Sequence, residues 1–193
     1  MFGGQKRSEA EIMTSNDWDS SDTLETLTTG TRNEMRIFFD TEFTGLTIDP
    51  RLISIGLVDE AGQTFYAELS DTYTADDCDP YVQEGILPRL DGGDALMTMR
   101  DLGARLLDWI ERYDETVTFL TDSMAWDWPW IQEIFYETER WPKNLARRPE
   151  ILLQEPAFNL AVERAYATGL RRHHALDDAK ANRLAWLATS GNR

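Results

Sequence analysis

Asp40 and Glu42 are separated by one residue and directly follow the apolar run Ile37-Phe38-Phe39. Side chains alternate across an extended strand, so both carboxylates project from the same face. Adjacent carboxylates repel each other. A divalent cation that prefers oxygen ligands, Mg2+ or Mn2+, relieves that repulsion. Further along, Arg171-Arg172-His173-His174-Ala175-Leu176-Asp177-Asp178 sets a histidine five residues before Asp178. That spacing does not align on one helix face, but it works if His173 lies in a loop and Asp178 in the first turns of the helix that follows. The loop histidine then leans over a site to which the helix adds a carboxylate. The alternative is a surface histidine pair and acids that merely complement the helix dipole. Between these segments, Asp122 ends a β-rich run and Asp127 opens a helix in Ala125-Trp126-Asp127-Trp128-Pro129-Trp130. Asp127 is either a third acid of the site or a helix N-cap.

The elements that must position these residues are legible as patterns. Ile37 to Phe39 show no polar alternation, which predicts a central strand covered on both faces, and Gly45 lets the chain turn away after it. Arg51–Asp59 and Thr64–Leu69 read as two more strands around the turn Glu60-Ala61-Gly62-Gln63, completing an antiparallel meander. Residues 71–93 read as a polar loop with a helical turn. Thr98–Arg112 carries a helical apolar stripe, with Thr98 and Asp101 in a capping arrangement. Thr116–Thr121 follows that helix and is therefore expected to be a parallel strand. Pro129 is expected in the first turn of a helix running to Glu139. Residues 151–154 suggest a short strand, and Pro156–Thr168 a helix stopped by Gly169. His174–Thr189 reads as a last helix packing through Ala175, Leu176, Ala179, Leu184 and Leu187. The fold class expected is α/β: a mixed sheet of an antiparallel three-strand meander plus parallel strands, flanked by helices.

Composition sets outer bounds. The 193 residues, 41% hydrophobic, suffice for one good core. Residues 1–34 are polar, with three basic residues against seven acids, 3 − 7 = −4. They are expected to be a disordered extension preceding a domain over 35–193. No apolar run is long enough for a membrane span, and none resembles a signal peptide. Cys78 is the single cysteine, which fits a reducing, cytoplasmic setting. The net charge of −16 argues against a broad basic nucleic-acid surface, but not against a grip on a few nucleotides through metal ions. The densest positive stretch is Arg140 to Arg148, with Arg140, Lys143, Arg147 and Arg148.

In this order, Asp40-x-Glu42, an Asp at a helix start, and His173-x-Ala175-x-x-Asp178 resemble the DEDDh 3′–5′ exonucleases. Phe39-Asp40-Thr41-Glu42-Phe43-Thr44-Gly45 and His173-His174-Ala175-Leu176-Asp177-Asp178-Ala179 are close to that family's wording. The layout over about residues 35 to 189 looks most like small bacterial exoribonucleases of the RNase AS type, related to ribonuclease T and oligoribonuclease. The resemblance implies a ribonuclease H-like fold and two divalent metal ions, Mg2+ or Mn2+, held by Asp40, Glu42, Asp127 and Asp178, with His173 as general base. Asp127 is preferred to Asp122 as the middle ligand because the family's acid sits on a helix behind an aromatic-rich turn. The implied reaction releases nucleoside 5′-monophosphates from the 3′ end of single-stranded RNA. Phe43, Thr44, Gly45 and Leu46 would contact the terminal nucleotide, although Phe43 and Leu46 read equally well as core. Arg147 and Arg148 would hold upstream phosphates or form an ordinary solvated face. A DNA exonuclease would use the same residues, and a non-catalytic nucleic-acid-binding protein on this fold is a further alternative. Many relatives are homodimers, and the aromatic content is compatible with that.

Overall fold

The computed structural model describes residues 34–190. The expected polar extension lies outside these residues, except that Glu34 already opens the first strand. A six-stranded sheet forms from β1 (Glu34–Phe43), β2 (Leu52–Asp59), β3 (Thr64–Leu69), β4 (Leu96–Met97), β5 (Thr116–Thr121) and β6 (Glu150–Ile151). Its order is β4-β3-β2-β1-β5-β6. β1, β2 and β3 make the antiparallel meander, while β5 pairs parallel to β1, β4 to β3 and β6 to β5. The helices are α1 (Pro80–Gly85), α2 (Met99–Glu111), α3 (Met124–Glu137), α4 (Pro156–Tyr166) and α5 (Ala175–Ser190).

β1 is central because both its faces are buried. Ile37 and Phe39 pack with Leu106, Ile110, Ile131 and Ile134 of α2 and α3. Phe38 packs with Phe158, Ala179 and Ala185 of α4 and α5. Alternation then puts Asp40 and Glu42 on the α5 side and Thr41 on the α3 side.

Four sequence expectations need correction. First, α3 begins at Met124 rather than near Pro129, and Ser123 is its N-cap residue. Pro129 sits inside the helix, where the carbonyl it leaves unbonded belongs to the exposed Ala125 and can turn to water. The helix stops at Glu137, and Glu139 has a left-handed φ of 51°. Second, residues 71–93 hold a true helix, α1, with Asp79 capping the Val82 N–H and Pro80 at its start. Third, the strand expected at 151–154 is Glu150–Ile151. Fourth, α5 packs through Ala175, Ala179, Ala181 and Ala185, whereas Leu184 and Leu187 are exposed. Small side chains face the sheet there because the helix lies so close to it. A Cβ on Gly56 of β2 would fall 2.2 Å from the Leu176 Cα.

Candidate metal centre and nucleotide pocket

Asp40 and Glu42 stand opposite Gly56 and Ser54 of β2. The bare Gly56 lets the first turn of α5 rest on the sheet at that point. Asp178, in that turn, thereby meets the two β1 carboxylates, with His173 in the loop just before the helix. His173 has φ 57°, a left-handed conformation for a residue that carries a side chain, and its N–H donates to Asp178 Oδ2 at 3.0 Å. The other oxygen of Asp178 accepts the Tyr166 hydroxyl at 2.7 Å.

Asp127 reaches the cluster from α3 and is only 2% exposed. It does not cap the helix. Its two oxygens accept the hydroxyls of Thr41 on β1 at 2.7 Å and Thr121 on β5 at 2.5 Å. Ligand atoms of Asp40, Asp122 and Asp127 lie within 4.8 Å of one another, and so do those of Glu42, His173 and Asp178. Both middle-acid candidates of the sequence are therefore present, with Asp122 at the surface side and Asp127 beneath.

Crowding like charges away from water raises carboxyl pKa values, because both burial and mutual repulsion disfavour ionisation. Glu42 is pushed up to about 8 by burial and by Asp178 and Asp127, against a weak opposing pull from Arg89. Asp40 rises well above the usual carboxylate range through burial, then Asp127, Glu42 and Asp178. Asp127 rises to about 7 through burial, restrained by its two threonine bonds. Asp178 rises to about 6 through burial, restrained by Tyr166 and the His173 N–H. The His173 imidazole is lowered by burial and by Arg89 and Arg172. None of these four acids forms an ion pair with Lys or Arg among the described residues. Hard oxygen donors, converging and uncompensated by protein cations, fit divalent Mg2+ or Mn2+.

Beside the acids is a cavity of about 420 Å3, bounded by Glu42, Phe43, Leu46, Tyr81, Ile86 and His173. Phe43 is backed by a stacked Trp126 at 6.0 Å and by Trp130 at 6.1 Å. Leu46 is 70% exposed at the rim. Gly45 has φ 140°, and a Cβ there would meet the Asp79 carboxylate at 2.4 Å, so glycine lets this loop close onto the start of α1. Thr44 is buried and braces the loop, its hydroxyl accepting the Arg51 N–H at 2.9 Å.

Arg147 and Arg148 are placed elsewhere. Leu145, just before them, bridges Val117 at the start of β5, and neither arginine lines the cavity beside the acids. Arg147 lies over the Trp141 ring at 4.7 Å, and Arg140 pairs with Glu111 at 2.6 Å. Sequence reasoning missed Tyr81, Tyr166, Thr41 and Thr121. Asp79-Pro80, a cap residue followed by the proline that favours a first helical position, was the available signal for the helix carrying Tyr81.

No family model matches the sequence, and no curated protein sequence matches it. Solved structures do. Exonuclease I in its apo form is 14% identical with a TM-score of 0.49, covering 79% of this chain and 41% of that one. A moderately thermophilic exonuclease I from Methylocaldum szegediense is 12% identical with a TM-score of 0.53, covering 81% and 41%. The nuclease domain of 3′hExo, a DEDDh family member bound to rAMP, is 14% identical with a TM-score of 0.49, covering 82% and 92%. The chain thus spans about 41% of the length of the two exonuclease I chains. At these identities the likeness is one of fold. The mixed sheet with its flanking helices is the ribonuclease H-like fold of the Methylocaldum enzyme.

Proposed function

We propose that this chain is a metal-dependent 3′–5′ exonuclease of the DEDDh type that removes nucleoside 5′-monophosphates from single-stranded RNA. The observation that carries the reading is the convergence of Asp40, Glu42, Asp127, Asp178 and His173, from segments far apart in sequence, beside a nucleotide-sized cavity. Acids that raise one another's pKa, with no basic partner, invite cations.

Two divalent ions would be held by Asp40, Glu42, Asp127 and Asp178, with Asp122 beside them. When bound, they would supply the charge that lowers the pKa of a water and stabilises the leaving 3′ oxygen. Everything else falls to the protein. Thr41 and Thr121 fix the rotamer of Asp127, and Tyr166 and the His173 N–H fix that of Asp178. His173, held neutral, takes the proton of the attacking water. Phe43, stiffened by Trp126 and Trp130, forms one wall for the terminal base, and Leu46 closes the rim. The choice of RNA, the RNase AS-type affiliation and a homodimer rest on the resemblance of the motifs to stand-alone exoribonucleases, and a cytoplasmic setting on the single cysteine, Cys78. Among the described residues no helix is long and apolar enough to cross a membrane.

The test is digestion of 5′-labelled RNA and DNA oligomers with Mg2+, Mn2+ or EDTA, beside Asp40→Ala. A metal-dependent ladder shortening from the 3′ end, absent in the variant, is expected, with RNA the faster polymer. Faster DNA cleavage would reassign the substrate. A folded, metal-binding protein that cuts neither would leave a nucleic-acid-binding module.

A further inference from the structure

The imidazole proposed to receive the proton of the attacking water already has a partner. Nε2 of His173 meets the Tyr81 hydroxyl at 2.6 Å, and the two rings meet edge-on, 5.4 Å apart at 80°. Tyr81 is 58% exposed, yet the helix it projects from is anchored. Asp79 caps α1, and Val82 and Ile86 lock it into a small core with Ile53 and Cys78. A general base needs its acceptor nitrogen within hydrogen-bond reach of the water it deprotonates. Here a phenol occupies that reach. Tyr81 and His173 also share the cavity lined by Glu42, Phe43 and Leu46, so a molecule filling it meets the Tyr81 ring.

We infer that Tyr81 caps the general base of the empty site and that a nucleotide seated in the cavity removes the cap. In the capped state the phenol donates to Nε2, and the neutral imidazole carries its proton on Nδ1. When the 3′-terminal nucleotide enters, the Tyr81 side chain swings toward solvent, and the freed Nε2 lone pair accepts a proton from water. His173 is thereby available only when a nucleotide is in place, and phosphodiesters that leave the cavity empty are discriminated against. The role given to His173 rests on the exonuclease reading; the Tyr81 contact does not.

Tyr81→Phe separates the possibilities, and the exposed ring makes it a mild change for the fold. The chain has only two histidines, His173 and His174, so imidazole 15N spectra are simple. In metal-free protein the His173 Nε2 signal should carry the signature of an accepted hydrogen bond and lose it in Tyr81→Phe. Adding a nucleoside 5′-monophosphate with Ca2+ to the wild type should produce the same loss. In turnover with Mn2+, Tyr81→Phe should hydrolyse bis(p-nitrophenyl) phosphate, which lacks a nucleoside, about five- to tenfold faster, the worth of one hydrogen bond. The ratio of that rate to its kcat on an RNA oligomer should rise above the wild-type ratio. An unchanged Nε2 signal, or equal loss of both activities, overturns the cap. If the wild type hydrolyses neither substrate, the exonuclease reading fails, and the spectra alone decide whether Tyr81 caps His173.

Discussion

The carboxylate cluster makes a prediction opposite in sign to ordinary acid denaturation. Above about pH 7 the unfolded chain binds no protons at its acids, whose ordinary pKa values lie near 4. The folded, metal-free chain retains part of them, because burial and mutual repulsion push Glu42 up to about 8 and Asp127 up to about 7, and raise Asp40 as well. A raised folded pKa on an acid means stability is lost as pH climbs through it. The slope is about −1.4 kcal/mol per pH unit for each proton held only in the native state. With roughly one such proton on average between pH 7 and 8.5, stability falls by about 2 kcal/mol, a drop in Tm of about 4–8 °C for a domain of this size. The window starts at 7 because His173 and His174, whose pKa values are lowered, act in the opposite sense below it. The assay is thermal unfolding in EDTA across that range, repeated in saturating Mg2+ or Mn2+. Cations compete with protons for the same oxygens, so the metal-bound series should be flat or rising. A Tm in EDTA that is level or increases toward pH 8.5 would refute the electrostatic account of the site.

Two further perturbations probe the same assembly. Asp40→Asn replaces a carboxyl that the metal-free fold must keep protonated with a neutral amide, so it should raise Tm in EDTA by a few degrees while eliminating the proposed metal-dependent hydrolysis; calorimetric melting and the oligomer ladder measure the two effects. Gly56→Ala drives a methyl to 2.2 Å from the Leu176 backbone, which cannot rotate aside. The expected cost is about 1–3 kcal/mol, together with a weaker affinity for divalent ions as α5 lifts, measured by urea unfolding and metal titration.

The first strand could be read from sequence because burial on both faces erases polar alternation, leaving Ile37-Phe38-Phe39 unambiguous. Its one-residue spacing of Asp40 and Glu42 then fixed their shared face. The His173 and Asp178 spacing was readable for a similar reason, since five residues fit a loop followed by a helix. The register of α3 was obscured by Pro129. A proline inside a helix is tolerated only where the carbonyl it orphans faces water, which depends on tertiary burial. The packing face of α5 was obscured by Leu184 and Leu187, whose apolar character suggested core, whereas the close approach at Gly56 favours small side chains such as Ala175, Ala179, Ala181 and Ala185. Tyr81 and Tyr166 were invisible because their roles consist of single hydrogen bonds to residues 92 and 12 positions away.

Across the seam at Gly56, a divalent ion bound at the proposed site would act as a clasp. Asp40 and Asp178 face each other across it, 178 − 40 = 138 positions apart in the chain. A divalent ion held by the proposed ligand set would bind only with α5 docked, so its binding would add to the docking, about 2.7 kcal/mol at a hundredfold excess over Kd. If divalent ions became scarce, the seam would lose that contribution. Depletion would then expose the loop that carries His173 and α5 to proteolysis, tying the survival of the protein to the same ions that the proposed hydrolysis would need.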